Sequence, residues 1–119
     1  MDPQAVVQIE EIIRRRSLGQ AFLAKRSKVF RAFSDVEQAA FQDGALPRKT
    51  KELVATAISV IKNCQSCMEW HIHEALKAGA GEQEVIEAIG VAIEMGGGPA
   101  TVHARFAAEV LEYYTAREG

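Results

Sequence analysis

Apolar residues recur every three to four positions along most of the chain, the period of amphipathic helices. Asp2-Pro3 supplies a capping side chain and a first-turn proline, and Val6, Val7, Ile9, Ile12 and Ile13 follow. Gly19 predicts an interruption, after which Phe22, Leu23, Val29, Phe30 and Phe33 fit a second helix. Ser34 and Glu37 have capping-box spacing, which predicts a short helix restarting there and running to Asp43-Gly44. Pro47 opens the next helix, carrying Leu53, Val54, Ala57, Ile58 and Ile61, with Asn63 as its stop. A fourth helix is expected from Cys64 to Ala78, ended by Gly79, and a fifth from Glu82 to Met95, ended by "GGG". Pro99 opens the last, with Val102, Phe106, Val110, Leu111 and Tyr114. No strand-like alternation competes with these patterns. The expectation is an all-α fold of six or seven short helices in one domain over residues 1–119, without repeat or linker. Several helices have apolar faces wide enough to imply that subunits share a core in a homo-oligomer.

Composition narrows the class. Hydrophobic residues make up 48% and charged residues 25%, a globular balance rather than a disordered one. The opening "MDPQAVVQIEEIIRRR" lacks the layout of a signal peptide, and no apolar run reaches membrane-spanning length. A cytoplasmic protein without membrane contact is expected, in a compartment where a purely structural disulfide is disfavoured. Charge is uneven: Arg14, Arg15, Arg16, Lys25, Arg26, Lys28 and Arg31 form a stretch with no acid, whereas seven glutamates lie between Glu82 and Gly119 against Arg105 and Arg117. A basic stretch can bind nucleic acid, but no nucleic-acid motif accompanies it, and the acidic end can neutralise it within or between subunits.

Both cysteines fall in "NCQSCMEW", two residues apart, with His71 next. At about 100° per residue, Cys64, Cys67 and His71 share one stripe of a helix and His73 faces the other way. The first helical turn, with unpaired N–H groups and the positive end of the dipole, favours thiolate over thiol. His71, four residues after Cys67, is placed to accept its proton. A nucleophile, a partner thiol and a base are therefore available for redox chemistry on peroxides or disulfides. Zinc is the competing use of Cys64, Cys67 and His71, but there is no second cysteine pair and only His103 could complete the set. The run "HIHE" is not a zinc-protease motif, because Lys77 stands where the second histidine belongs. Two small buried cysteines beside an incidental histidine is the third reading. The turn "GGGPATVH" lacks the Lys-Ser/Thr of a phosphate loop and reads better as close helix packing.

The segments "KELVATAISVIKNCQSCMEWHIHEALKAGAGEQEVIEAI" and "EMGGGPATVHA" resemble the carboxymuconolactone decarboxylase family, in particular its alkylhydroperoxidase AhpD-like branch. That branch carries a glutamate, eleven intervening residues, Cys-x-x-Cys, three intervening residues and a histidine; Glu52, Cys64, Cys67 and His71 stand at that spacing. The match spans roughly residues 46 to 105. The resemblance implies an all-helical AhpD-like fold assembled as a dimer, trimer or hexamer.

It also implies a catalytic set of Glu52, Cys64, Cys67 and His71, with no cofactor and no metal. Glu52, otherwise readable as a solvated carboxylate, would orient and charge His71, directly or through water, and His71 would deprotonate a cysteine. The family's relay points to Cys67 as the peroxide-reactive thiol and Cys64 as its resolving partner, although the helix dipole favours Cys64. Gln65 and Ser66 depart from peroxidases that carry a further histidine between the cysteines. In the family the Gly-rich turn sits near the active-site cavity, which would let His103 line it.

The implied function is a thiol-dependent peroxidase or disulfide reductase acting on a small hydroperoxide or disulfide, fed by a thiol electron donor. The alternatives are a decarboxylase-type acid–base enzyme of small lactones and a non-enzymatic redox-responsive oligomer. A hairpin turning at Asn63 should bring Glu52 and His71 to similar depth.

Overall fold

The computed structural model describes residues 1–118 and consists of six helices: α1 (Pro3–Arg26), α2 (Lys28–Phe41), α3 (Arg48–Ile61), α4 (Gln65–Lys77), α5 (Glu82–Gly96) and α6 (Gly98–Glu118). There is no strand among the described residues. Helices α3 to α6 pack on one another, α1 lies across α4 and α6, and α2 rests on α1 and α3 and reaches α4 through Phe41.

Local chemistry sets most boundaries. Asp2 caps α1, its carboxylate accepting from the Gln4 and Ala5 backbone N–H groups, and Pro3 occupies the first turn. Asn63 ends the α3 connection with φ of 53°, a left-handed conformation that asparagine tolerates better than most residues. Gly79 does the same after α4 with φ of 101°.

Two expected breaks do not occur. Gly19 lies inside a continuous 24-residue α1, and Ser34 lies inside a continuous α2. A glycine inside a helix costs only about 1 kcal/mol, which the rest of α1 absorbs. Ser34 turns its hydroxyl back onto the Phe30 carbonyl instead of capping. The real break is Ser27, extended in backbone, whose hydroxyl accepts from the Phe30 N–H and starts α2.

The core is drawn from one stripe of each central helix. Ile9, Val60, Met68, Ile72, Val85 and Val110 are fully buried, each worth roughly 1.5–3 kcal/mol in apolar transfer for residues of this size. The glycine turn closes the bundle. A Cβ on Gly96 would lie 2.7 Å from both the Ala100 Cβ and the Ile61 Cδ1, so only glycine lets α3, α5 and α6 approach this closely. Gly97 supplies the positive φ of 69° between α5 and α6.

Not every apolar face finds a partner in the chain. Val54, Ile58 and Ile61 of α3 and Val91 and Met95 of α5 stay exposed around a groove of about 610 Å³ with no titratable side chain in its lining. Helix α2 buries no residue, and leaves Val29, Phe33 and Val36 exposed. The basic stretch does not form a uniform patch: Arg14 pairs with Glu11, Arg16 turns inward, and Arg26 and Arg31 donate to the Phe22 and Ala24 carbonyls. No described helix is long and apolar enough to cross a membrane.

Candidate active site

The α3–α4 hairpin builds the site. After Asn63 the chain turns so that the Cys64 N–H donates to the Ser59 carbonyl, fixing Cys64 as the N-cap of α4. Its sulfur accepts from the Cys67 N–H at 3.2 Å, the position that a serine or aspartate oxygen takes in other caps. Cys64 and Cys67 are joined as a disulfide, their Cα atoms 5.2 Å apart. Both residues are half-buried, so the pair is neither sealed in the core nor fully solvated.

One turn further, His71 Nδ1 lies 2.7 Å from Glu52 Oε1. The hairpin therefore brings together residues 19 positions apart, at the matching depth that its turn requires. Glu52 is 1% exposed, not a solvated surface carboxylate. The carboxylate accepts and Nδ1 donates, which leaves Nε2 of the ring free to take or return a proton. Phe41 of α2 stacks on the imidazole with centroids 5.3 Å apart and fixes its plane. Arg48, one turn before Glu52, places Nε 3.8 Å from the second Glu52 oxygen and Nη2 3.1 Å from Glu74, whose other oxygen meets Lys77 at 3.2 Å. The buried Glu52 thus has the His71 ring at one oxygen and the Arg48 guanidinium near the other.

His71 and Glu52 open onto a cavity of about 690 Å³ bounded by α1, α2, α3 and α4. Its apolar wall is Phe30, Phe33 and Phe41 of α2, and Arg48 and Trp70 line its rim beside the histidine. The α3/α5 groove is of similar size but lies away from every candidate catalytic group. The cavity beside His71 takes Glu52 and His71 into its lining, whereas neither Cys64 nor Cys67 is part of that lining.

The opposite face of α4 carries a second polar cluster. Glu69, also 1% exposed, has Arg16 Nη1 2.5 Å from Oε1, a charge contact without hydrogen-bond alignment, and accepts the Tyr114 hydroxyl at Oε2. His73 stacks flat on Tyr114 at 4.0 Å, on the face of α4 away from the cysteines as its spacing requires. Burial, donation to Glu69 and the Glu69 charge push the Tyr114 phenol far above its ordinary value of 10, so it remains a neutral donor. His103 does not line the cavity beside His71: it is half-buried on α6 with Nδ1 2.9 Å from the Val60 carbonyl. The glycine turn packs helices, and that histidine meets the last turn of α3 instead.

Arg48 could have been read from its i,i+4 spacing to Glu52. Phe41, Arg16 and Tyr114 come from helices whose register against α4 no local pattern encodes.

A six-helix fold with this hairpin defines a class of small helical proteins, and comparison places the chain within it. The sequence profile of the carboxymuconolactone decarboxylase family matches residues 27–110, and the chain belongs to that family. An uncharacterised Cupriavidus necator protein, H16_B0147, is 42% identical over 100 residues, covering 84% of this chain and 82% of the relative. An uncharacterised protein of the cox locus in Paracoccus denitrificans is 41% identical over 81 residues, 68% of this chain and 73% of its own. Among solved structures, the apo form of a family protein from Legionella pneumophila, lpg0406, superposes with a TM-score of 0.80 at 36% identity, covering 92% of this chain and 96% of the other. A Thermotoga maritima family protein, for which a part in the antioxidative response has been suggested, gives 0.83 at 26% identity, covering 91% and 92%.

Proposed function

We propose that this protein is a thiol-dependent peroxidase or disulfide reductase, an alkylhydroperoxidase-like oxidoreductase cycling between a Cys64, Cys67 dithiol and their disulfide. The observation that carries the reading is the disulfide in the first turn of α4, with His71 one turn along the same helix and 2.7 Å from Glu52 of α3. The suggested antioxidative role of the Thermotoga maritima relative points the same way.

In the oxidative half, His71 Nε2 takes the Cys67 proton. The Cys67 thiolate attacks the outer oxygen of a hydroperoxide, the O–O bond breaks, and that oxygen stays on sulfur as a sulfenic acid. The departing alkoxide takes the proton from His71 and leaves as an alcohol. Cys64 then attacks the Cys67 sulfur, and the sulfenic oxygen leaves as water with the Cys64 proton. Hydroperoxide and dithiol become alcohol, water and disulfide. In the reductive half, two donor thiols restore the dithiol and leave as a disulfide, as a reducing cytoplasm would allow. Glu52 holds the imidazole tautomer and compensates its charge at each stage.

Thiol titration before and after one equivalent of an organic hydroperoxide tests the reading. Rapid loss of two thiols per chain and regeneration by a dithiol are expected. Inert thiols with turnover of a small lactone would replace it by an acid–base decarboxylase. Oxidation that supports no turnover with any reductant would leave a redox-responsive protein without catalysis.

The same reading includes a homo-oligomer. The exposed Val54, Ile58, Ile61, Val91 and Met95 face is the surface a second copy would cover. Light scattering should give a multiple of 13.0 kDa at micromolar concentration, and a monomer there would remove this part of the proposal.

A further inference from the structure

The two residues between the cysteines, Gln65 and Ser66, are both held by side chains of α1. Gln8 Nε2 donates to Gln65 Oε1 at 2.9 Å. Arg16 Nη2 donates to the Ser66 carbonyl at 2.9 Å and to its hydroxyl at 3.2 Å. The same guanidinium reaches Glu69 through Nη1 and sits 5.2 Å from the centre of the Trp70 ring. Arg16 therefore touches three residues in the first turn and a half of α4, one of them inside the Cys-x-x-Cys sequence. Its neighbours Arg14 and Arg15 do not turn inward in this way: Arg14 is spent on an exposed pair with Glu11, whereas the Arg16 side chain is only 14% exposed.

The ion pair is also oriented. Its guanidinium end lies against Ser66 and its carboxylate end, Glu69, lies further along the helix. The positive end is thus nearer the cysteine turn and adds to the field of the helix N-terminus. Without Arg16, Glu69 would be a buried anion two residues from Cys67 with only the neutral Tyr114 hydroxyl to support it. A negative charge there opposes formation of a thiolate.

We propose that Arg16 is a positioning residue for the Cys64–Cys67 pair: it clamps the first turn of α4 through Ser66, neutralises Glu69, and so favours the reduced, thiolate-bearing form. The proposal rests on the redox reading of the pair. It acts from the face of α4 opposite His71, so proton transfer and thiolate stability are set by different groups. Reduction takes two electrons and two protons from an incoming pair of thiols, which leave joined as a disulfide. A turn that is held in place and electropositive shifts that exchange toward the protein dithiol.

The test compares the wild type with Glu69→Gln, Arg16→Lys and the double variant Arg16→Met with Glu69→Gln. The double variant contains no buried unpaired charge, so it remains foldable if Arg16→Met alone does not. Two quantities are read: the rate of thiol alkylation against pH, and the dithiol–disulfide equilibrium against a glutathione or dithiothreitol buffer. Relative to Glu69→Gln, the double variant should alkylate about tenfold more slowly at pH 7, and its equilibrium should move about tenfold toward the disulfide, roughly 30 mV in potential. Arg16→Lys, which keeps the charge but not the fork, should fall between it and wild type. A thiol titration and equilibrium in the double variant equal to those of Glu69→Gln would reduce Arg16 to a packing residue and overturn the proposal while leaving the redox reading intact. A wild-type pair that cannot be reversibly reduced and reoxidised would overturn both.

Discussion

Glu52 and Glu69 are equally buried, at 1% exposure each, yet they occupy different chemical situations. Glu52 faces His71, a partner whose proton can leave, at the wall of a cavity of about 690 Å³. Glu69 faces Arg16, whose charge is permanent, and Tyr114, whose phenol is held neutral, in the packed contact of α1, α4 and α6. The first arrangement can pass a proton to something in the cavity. The second can only hold a field and a geometry. Burial of a carboxylate does not by itself mark a catalytic group; the titration behaviour of its partner and its access to substrate do.

The comparison can be broken most forcefully through the partners. Arg16→Met strands Glu69 as a buried charge, and a loss of about 3–5 kcal/mol in unfolding free energy is expected. His71→Gln should cost less than half as much, because Glu52 keeps Arg48 and the amide can still donate. Urea denaturation of the two variants gives both values, and equal losses would mean that the two sites are one kind of structural pair.

The carboxylates themselves should separate by rate. Glu52→Gln is nearly isosteric and should leave the fold intact, while peroxide reduction slows by about 10²-fold and the apparent pKa of the reactive thiol rises. Glu69→Gln keeps an acceptor for Tyr114 and should change the same rate by less than about fivefold. Stopped-flow peroxide consumption and alkylation against pH measure both, and an unchanged Glu52→Gln rate would make Glu52 structural too.

A smaller effect belongs to the phenol. Tyr114→Phe removes one hydrogen bond to Glu69 and should cost about 1–3 kcal/mol. The Tyr114 pKa is raised on folding, so its contribution is fully present below pH 10 and declines as pH climbs above 10, where the unfolded chain ionises and the folded one does not. Stability of the wild type should therefore fall above pH 10 more steeply than that of Tyr114→Phe, as read from denaturation midpoints between pH 9 and 11.

These two sites were unequally visible in the sequence. Glu52, Cys64, Cys67 and His71 lie within 20 residues on one hairpin, and the stop at Asn63 sets their register, so helical geometry and the family spacing reach the same arrangement. The Arg16–Glu69–Tyr114 cluster joins residues from α1, α4 and α6, and charge alone does not select Arg16 over Arg14 or Arg15. Boundaries show the same division. Asp2-Pro3 acts through a local side-chain cap and a fixed φ, Asn63 and Gly79 through their own backbone, and all were legible. Gly19 and Ser34 are weak local preferences overridden by the helix around them, and Ser27, which does end α1, carries its signal in a cap that a neighbouring serine mimics.

The wall of the cavity has its own thermodynamics. Helix α2 contributes Phe30, Phe33 and Phe41 to that wall but buries none of its residues, whereas Glu52 and His71 are fixed by the α3–α4 hairpin in the core. Amides of α2 should exchange with deuterium through local openings far cheaper than global unfolding, and those of α3 and α4 only near the global limit. A bulky guest that displaced α2 would lift Phe41 off the His71 ring while the α3–α4 hairpin still held Glu52 against it, so access to the cavity and the carboxylate–imidazole contact belong to two separately melting parts of one small chain.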